Sequence, residues 1–386
     1  ETHSNGKTVN WCQVRVVPEG QEQTLTGKGI EPSGVQGIIC GAHNFVPGDK
    51  VVVTLPGAVL PGGFAITARK TYGHKSAGMI ASTRELGIGD DHGGILVLST
   101  LGLDPELGTD AMELLGLYDQ AAEVNVTPDR GYAFSLRGIA REWCHATGSS
   151  FEDFVLAYGE RAPEANESGH PVALRDDAPI HGNPGCTRFV MREVSGVKAD
   201  APVPTWMSSR LRLAGVRSLS LPVDISNYVM LETGQPLHFY DADKVQGEIV
   251  VRRAAAGEKL VTLDGVERTL HPEDIVIADD SGVIGLAGVM GGASTEVTDS
   301  TTRILVEAAR FDEVSVARTA RRHKLISESS KRFERGVDPL IQAAAAQRAV
   351  ELLVELAGAQ VEPGVTDVSL GYEPVVIAVS YTHLRA

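Results

Sequence analysis

Short apolar runs separated by glycine and proline fill the first hundred residues, and this pattern restricts the fold more than any other feature. Pro47-Gly48, Pro56-Gly57 and Pro61-Gly62 each predict a tight turn, because proline fixes its own φ and glycine adopts positive φ without strain. The runs between the turns are too short for stable helices but suit β-strands. Residues 1–112 are therefore predicted to form a small barrel or sandwich, and an oligonucleotide-binding barrel is one candidate.

The pattern changes in residues 113–204, which we interpret as a joining region. Leu136, Ile139, Ala140 and Trp143 recur at helical spacing, and Ser135 is suited to cap the N-terminus of that helix. Six of the nineteen prolines lie between residues 163 and 204. Because proline cannot donate a backbone hydrogen bond, this stretch is predicted to be a connection with a few edge strands.

Residues 205–368 alternate between helical and extended patterns, which predicts a mixed α+β domain and a multidomain α+β fold class. Helices are expected at Trp206–Leu213 and Val223–Leu231, and a third from an N-cap at Asp338 to Gly358. Residues 369–386 are interpreted as the start of a further, truncated domain. Whether residues 380–386 are a frayed terminus or a tail foreign to the natural protein stays open. Strands are expected at Ile249–Arg252, Lys259–Leu263, Ile275–Ala278, Val283–Leu286 and Arg303–Glu307.

Composition excludes several classes of protein. With 42% hydrophobic and 22% charged residues over 386 positions, the chain can bury a sizeable core. No apolar run is long enough for a membrane helix. The four cysteines lie far apart without a Cys-x-x-Cys pair, which indicates neither zinc nor a disulfide framework and favours a reduced, cytoplasmic setting. The net charge of −15 argues against a general nucleic-acid coat protein but leaves room for a local basic face.

Two side chains of the predicted α+β domain are candidates for chemistry. Glu307 ends the apolar run Ile304-Leu305-Val306, and a carboxylate buried there needs a hydrogen-bond donor, which makes it a site candidate. His238 begins a turn after a helix, where a lone histidine is more often structural. Four glycines lie between Gly285 and Gly292; they predict a tight turn or close backbone approach to a ligand rather than a phosphate loop. No serine-triad or zinc-hydrolase motif occurs.

A basic stretch crosses the end of this domain. Seven positive residues lie within eighteen positions. They are interpreted either as a solvated helix face or as a track for phosphates, since each neutralised phosphate releases counterions. These residues are Arg318, Arg321, Arg322, Lys324, Lys331, Arg332 and Arg335.

Several motifs resemble, in the same order, the bacterial phenylalanyl-tRNA synthetase beta subunit over nearly the whole chain to about Ser369. The motifs that resemble its tRNA-binding barrel are Gly41–Asn44, Leu55–Gly63 and Ser76–Met79. Those that resemble its joining segment are Thr127–Arg130 and Gly138–Glu142. Those that resemble its editing domain are Val223–Val229, Glu232–His238, Leu286–Gly292 and Arg332–Pro339.

The resemblance implies an oligonucleotide-binding barrel followed by an editing domain, and it implies roles for individual residues. The editing reaction would hydrolyse tyrosine wrongly attached to the phenylalanine tRNA. An apolar pocket rejects the extra hydroxyl of tyrosine only weakly, so a second site that requires this hydroxyl restores accuracy. Glu307 would sense the hydroxyl, and positioning and backbone donors would promote water attack. The implied catalytic group is His238, Glu307, Arg217 and Ser226; the substrate pocket is Asn227, Ala287, Gly291, Gly292, Ser327 and Ser329; tRNA contacts are Asn44, Lys75, Arg321, Arg322 and Lys324.

The resemblance also implies partners and cofactors. The complete enzyme would be an alpha2–beta2 tetramer that joins phenylalanine to its tRNA with ATP and magnesium. Aminoacylation would reside in the alpha subunit, and the ligands for ATP and magnesium would lie outside this chain, which is expected to hold no cofactor or metal. No membrane partner is expected.

Two alternatives remain open at this stage. The family usually has threonine where Ser226 stands, and Thr-Asp-Ala-Ser where Ser327-Glu328-Ser329-Ser330 stand. Serine keeps a hydroxyl, but Ser329 adds a polar atom to a pocket wall. The first alternative is that these differences make the pocket inactive, so that the chain is a noncatalytic tRNA-docking and assembly module. The other alternative is a free-standing aminoacyl-tRNA deacylase.

Overall fold

A computed structural model describes residues 8–22, 29–374 and 376–380. Contacts divide the described residues into two compact units: unit 1 runs to residue 122 and includes 202–218, and unit 2 contains 123–201 and the residues from 219 onward. The motif-based domain bounds at 112, 204 and 368 stay predictions. No helix in the described part of the chain has the length and apolarity to cross a membrane.

The strands and helices are numbered in chain order. The strands are β1 Asn10–Arg15, β2 Val35–Cys40, β3 Val53–Thr54, β4 Val59–Leu60, β5 Phe64–Ala65, β6 Arg69–Thr71, β7 His74–Ser76, β8 Met79–Ile80, β9 Val172–Arg175, β10 Cys186–Ser195, β11 Leu237–Asp241, β12 Ile249–Arg253, β13 Lys259–Val261, β14 Glu267–Thr269, β15 Ile275–Asp279, β16 Gly282–Leu286, β17 Met290–Gly291, β18 Arg303–Phe311 and β19 Gln360–Ser369. The helices are α1 Ala111–Leu114, α2 Leu136–Thr147, α3 Phe154–Arg161, α4 Thr205–Leu213, α5 Leu221–Thr233, α6 Glu313–His323, α7 Glu328–Phe333 and α8 Gln342–Ala357.

Unit 1 is rich in short antiparallel strands. β1 pairs with β2, β3 with β8, β4 with β5 and β6 with β7. Backbone hydrogen bonds link Ala77 to Gly37, and Ala81 to Val52, so the ladders lie side by side around a buried cluster that includes Ile38 and Ile80. The α+β class is therefore confirmed, with a β-rich N-terminal unit. Closure into an oligonucleotide-binding barrel stays a prediction.

Unit 2 contains two sheets that share one apolar core. A four-stranded antiparallel sheet has the order β11-β18-β10-β19, and a five-stranded mixed sheet has the order β17-β16-β15-β12-β9. Phe189, Met191 and Leu305 of the first sheet are buried in one cluster with Val251 and Ile284 of the second. Helices α5 and α8 lie beside the four-stranded sheet. Strands β11 and β17 each end their sheet, so both are edge strands.

Two sequence predictions for unit 2 are wrong in detail. The proline-rich stretch contains β10, which is ten residues long and lies between β18 and β19 in the sheet interior. This is compatible with proline chemistry because Pro184 and Pro202 flank the strand rather than interrupt it. Helix α8 begins at Gln342, because the Asp338 carboxylate instead caps a turn at the Leu340 amide and accepts a hydrogen bond from Arg137.

A buried ion cluster fixes α6 to the five-stranded sheet. Asp274, which is fully buried, accepts hydrogen bonds from the side chains of Arg322, His323 and Thr319 on α6. Burial raises the pKa of Asp274, but hydrogen bonds from His323 and the His271 backbone, with nearby positive charge, outweigh burial and hold this pKa below its ordinary value.

The Asp274→Asn substitution should lower the free energy of unfolding at pH 7 by about 1–3 kcal/mol, since charge-assisted hydrogen bonds are lost. A depressed carboxyl pKa stabilises the fold above the unfolded pKa and loses this effect as pH falls through the folded pKa. The wild-type advantage should therefore shrink in acid. Urea unfolding at pH 7 and near pH 3 measures both effects, with exposed Asp299→Asn as the control; an equal difference at both pH values would contradict the prediction.

Candidate active site

His238 and Glu307 lie directly opposite each other on the paired strands β11 and β18. Opposite residues of an antiparallel pair direct their side chains to the same face, with Cα atoms roughly 4.5–5.5 Å apart. Tyr240 follows two residues after His238 and therefore shares this face. The Tyr240 hydroxyl donates a hydrogen bond to Oε2 of Glu307. The two residues predicted from different parts of the sequence thus form one cluster, together with a tyrosine.

Gly291 brings the edge of the other sheet against this cluster. A Cβ atom at Gly291 would lie 2.3 Å from Cε1 and 2.7 Å from Nε2 of His238. Only a residue without a side chain allows the imidazole to take this place. The imidazole also packs edge-on against the Tyr240 ring, with ring centroids 4.5 Å apart and an interplanar angle of 83°. The close approach that the structure shows at this glycine is to the His238 side chain, and the predicted approach of the segment to a ligand stays a prediction.

Burial controls the charge of the cluster. Glu307 is 4% exposed and Tyr240 is fully buried. Burial raises the pKa of Glu307 to about 7, although the hydrogen bond from Tyr240 acts in the opposite direction. Burial also lowers the pKa of His238 to about 4, so this imidazole is neutral at pH 7. Its Nε2 atom is buried and has no hydrogen-bond partner among the described residues, which leaves it free to bond a ligand or water.

The hydroxyls of the unusual serine run hold α7 against the glycine-rich turn. Ser327 caps α7 by accepting from the Ser330 amide, and its own hydroxyl donates to the Val289 carbonyl at 3.1 Å. The Ser329 hydroxyl donates to the Gly288 carbonyl at 3.2 Å. Both serines therefore reach the turn that leads into Gly291. The extra hydroxyl of Ser329 has a partner inside the protein, so it is not an unsatisfied polar atom in a pocket wall.

The other predicted pocket residues have mainly local contacts. The Ser226 hydroxyl donates back to the Val223 carbonyl at 2.7 Å within α5. Ala287 is buried and its amide bonds the neighbouring strand β15. A Cβ at Gly292 would lie 2.6 Å from the Ile284 carbonyl oxygen, so this glycine is needed for strand packing. The Asn227 side chain makes no hydrogen bond within the described residues, and Arg217 belongs to unit 1. Their predicted roles stay predictions.

The predicted tRNA contacts differ in how free their side chains are. Asn44 uses its amide nitrogen and oxygen on the Ile95 backbone, and Lys75 pairs with Glu31 at 2.7 Å. Arg322 is engaged by Asp274 and by Glu273. These three side chains therefore have at least partly structural roles, and their roles in binding tRNA stay predictions.

Arg321 and Lys324 are the exposed cations of this group. The side chain of Arg321 is 72% exposed, and its nearest carboxylate oxygen, on Glu334, lies at 3.9 Å. Lys324 ends α6 in the left-handed conformation with φ of 55° and is exposed. Of the basic stretch, these two residues fit the interpretation as a phosphate track best. Arg332, by contrast, is buried and donates to the Phe134 carbonyl.

Sequence reasoning missed Tyr240. The prediction that His238 begins a turn was wrong, because His238 lies within strand β11. Since a strand alternates its faces with a period of two, His238 and Tyr240, two residues apart, lie on one face. What the sequence could not supply was the identity of the neighbouring strand that carries Glu307. No group of three or more histidine, cysteine, aspartate or glutamate side chains suited to a metal ion occurs among residues 8–22, 29–374 and 376–380.

Comparisons with known proteins agree on one family. A family profile described as the B3/4 domain matches residues 185–358. The "Phenylalanine--tRNA ligase beta subunit" of Leifsonia xyli is 64% identical over 93% of this chain. The proteins of the same name from Streptomyces avermitilis and Thermobifida fusca are 56% and 57% identical over 98% and 89% of it. The chain spans 42%, 43% and 40% of the length of these three curated relatives, respectively.

A solved structure was also found. An N-terminal fragment of the phenylalanyl-tRNA synthetase beta subunit from Pyrococcus horikoshii is 17% identical to the chain. It covers 68% of this chain and 72% of its own, with a TM-score of 0.36. That likeness is too slight to support statements about the site.

Proposed function

Because this chain belongs to the family of phenylalanine–tRNA ligase beta subunits, we propose that it binds the phenylalanine-accepting tRNA and hydrolyses tyrosine joined to it in error. The observation that carries the proposal is the pairing of His238 with Glu307 across β11 and β18. A buried carboxylate without an ion pair in the described chain lies beside a neutral imidazole with a free nitrogen. A phenol and an ester are groups that such a pair can bind.

Glu307 supplies the selectivity in this proposal. A carboxylate oxygen accepts a hydrogen bond from a phenol, which phenylalanine cannot donate. When phenylalanine enters, a buried acceptor loses water without gaining a partner, and that desolvation is costly. A site that requires a hydroxyl therefore discriminates far more strongly than a pocket that merely excludes one.

In this proposal His238 positions the reacting groups and does not accept a proton. With a pKa of about 4 it is a weak base at pH 7, so we assign its Nε2 a hydrogen bond to the ribose or the attacking water. In the reaction, the water oxygen forms a bond to the ester carbonyl carbon, and the bond from that carbon to the ribose oxygen breaks. The water loses one proton and the ribose oxygen gains one, so the products are free tyrosine and uncharged tRNA.

The direct experiment is deacylation of purified tyrosyl-tRNA and phenylalanyl-tRNA, both built on the phenylalanine tRNA, by this chain alone. Tyrosyl-tRNA should be hydrolysed well above its spontaneous rate and phenylalanyl-tRNA close to it. Spontaneous rates on both substrates, together with retained tRNA binding, would contradict the editing proposal and favour the docking module. Co-purification with an alpha subunit separates both from a free-standing deacylase.

Arg321→Ala and Lys324→Ala should each weaken tRNA binding and lower the slope of log affinity against log salt by about one. The reason is that each exposed cation would neutralise a phosphate and release counterions. Binding titrations between low and physiological salt measure the slope. Arg175→Ala is the matched control, because its side chain is 61% exposed in unit 2 but lies outside the basic stretch; an equal effect there would argue against a phosphate track.

For the whole protein we propose the family's remaining properties. The alpha subunit would carry aminoacylation with ATP and magnesium, and the complete enzyme would be an alpha2–beta2 tetramer in the cytoplasm. These proposals rest on relatives that are more than twice as long as this chain.

A further inference from the structure

We propose that Tyr240 is a positioning residue that sets the selectivity of the site by holding the Glu307 carboxylate toward the substrate phenol. The inference rests on the proposed function, because it concerns the residue that would sense tyrosine. Tyr240 does not touch the reacting ester in this proposal, and it acts through Glu307.

The contact is built into the sheet. Tyr240 and His238 alternate onto the same face of β11, and Glu307 lies opposite His238 on β18. The Tyr240 phenol reaches diagonally along the strand pair and donates to Oε2 of Glu307. Tyr240 is fully buried with Phe189, Met191 and other members of the core, so its ring cannot swing away without opening the core.

Glu307 has no other anchor in the described part of the chain. The arginines that are near it in sequence are engaged elsewhere: Arg303 pairs with Glu193 and Asp243, and Arg310 bonds Thr187. Among the described residues, side-chain hydrogen bonds reach only Oε2 of Glu307. A carboxylate held at one oxygen by a fixed phenol presents its second oxygen in a fixed direction, and this oxygen is the acceptor available to a substrate hydroxyl.

Tyr240 also connects the sensing residue to the positioning residue. The His238 ring packs edge-on against Tyr240 at a centroid distance of 4.5 Å, while the backbone of Gly291 lies under the same imidazole. One aromatic ring therefore fixes both the carboxylate and the imidazole. Electrostatics favour the same arrangement, since the Tyr240 hydrogen bond lowers the pKa of Glu307 against the effect of burial and so favours the ionised acceptor.

A rival explanation makes the opposite prediction. If the Tyr240 phenol merely occupied the place of the substrate hydroxyl, its removal would open the site and raise hydrolysis of tyrosyl-tRNA. If Tyr240 positions Glu307, its removal must lower that rate. The sign of the change therefore decides between the two explanations.

The test is Tyr240→Phe, which keeps the ring in the core and removes only the hydroxyl. We expect tyrosyl-tRNA hydrolysis to fall about tenfold, the value of one hydrogen bond to a charged group, while phenylalanyl-tRNA hydrolysis changes little. The ratio of the two rates should rise with pH near neutrality, as Glu307 ionises. In the variant this rise should move to higher pH, a shift that a merely structural residue would not cause.

Two further variants keep the test decisive. Tyr158→Phe removes the hydroxyl of a half-buried tyrosine on α3 and should leave both rates and the pH profile unchanged. Glu307→Ala, which removes both carboxylate oxygens, reports on the proposed function itself: if it leaves the selectivity intact, the sensing role fails. If Glu307→Ala abolishes selectivity while Tyr240→Phe leaves the rates and the pH profile unchanged, or raises tyrosyl-tRNA hydrolysis, the inference about Tyr240 alone is overturned.

Discussion

Replacing Glu307 by alanine should lower hydrolysis of tyrosyl-tRNA by about tenfold to a hundredfold. The lost charge-assisted hydrogen bond is worth about 1.5–3 kcal/mol, and about 1.4 kcal/mol corresponds to one decade in rate. Hydrolysis of phenylalanyl-tRNA should change little or rise, because the desolvated acceptor that penalised phenylalanine is gone. Single-turnover deacylation of both substrates, beside a thermal melt, measures the effect.

The structure removes the main alternative for Glu307, an ion pair that supports the fold. Arg303 pairs with Glu193 and Asp243, and Arg310 contacts Glu313 across the end of β18. In the native cluster, Glu307→Ala would leave only the Tyr240 hydroxyl without its partner. Tyr240→Phe combined with Glu307→Ala should therefore recover any lost stability without recovering activity. Equal loss on both substrates with a lower melting temperature would refute the sensing role.

Replacing Gly291 by alanine should lower deacylation of tyrosyl-tRNA by about a hundredfold and leave phenylalanyl-tRNA near its spontaneous rate. The new Cβ would lie 2.3 Å from Cε1 of His238, so the imidazole must move. A displacement of about 1 Å at a reacting group can cost two decades in rate. The atoms that clash all belong to the His238 ring and not to the backbone, and a thermal melt checks that the variant is folded.

Gly285→Ala is the matched control for this prediction. Gly285 lies directly opposite Gly291 on β16, and a Cβ there would have its nearest neighbour at 3.7 Å, an ordinary contact. It should fold and deacylate like the wild type. Gly291→Ala and Glu307→Ala also separate the roles in the site: Gly291→Ala should lower tyrosyl-tRNA hydrolysis through His238 without raising that of phenylalanyl-tRNA, whereas Glu307→Ala should change the selectivity. Wild-type rates in Gly291→Ala would place the reaction away from His238.

Much of the secondary structure was predictable because its causes are local. Trp206–Leu213 and Val223–Leu231 fall within α4 and α5, and Gly358 ends α8 in the left-handed conformation. Ser135 caps α2 by accepting from the Gly138 amide, as its position before an apolar helical pattern predicts. The start of α8 could not be predicted, since Asp338 is drawn into an ion pair with Arg137, two hundred residues earlier in the chain.

Helix α2 shows where local reasoning ends. Its spacing identifies a helix, but Leu136 and Trp143 are 58% and 67% exposed, while Arg137 is buried against Asp153. The buried residues of the helix are therefore Arg137 and Gly138 rather than Leu136 and Trp143 of the predicted apolar face. Periodicity determines which residues share a face, but only the partners in space determine which face is covered.

The same distinction applies to the candidate site. The sequence by itself predicted many of the helices and strands and, through its motifs, the family, but it did not predict strand β11, which carries His238 and Tyr240. Only the tertiary structure decided that β18 pairs with β11 in the register that puts Glu307 opposite His238, and that Gly291 of the other sheet lies under the imidazole. The physical reason is that strand alternation has a fixed period, whereas register and sheet order depend on contacts between segments far apart in the chain.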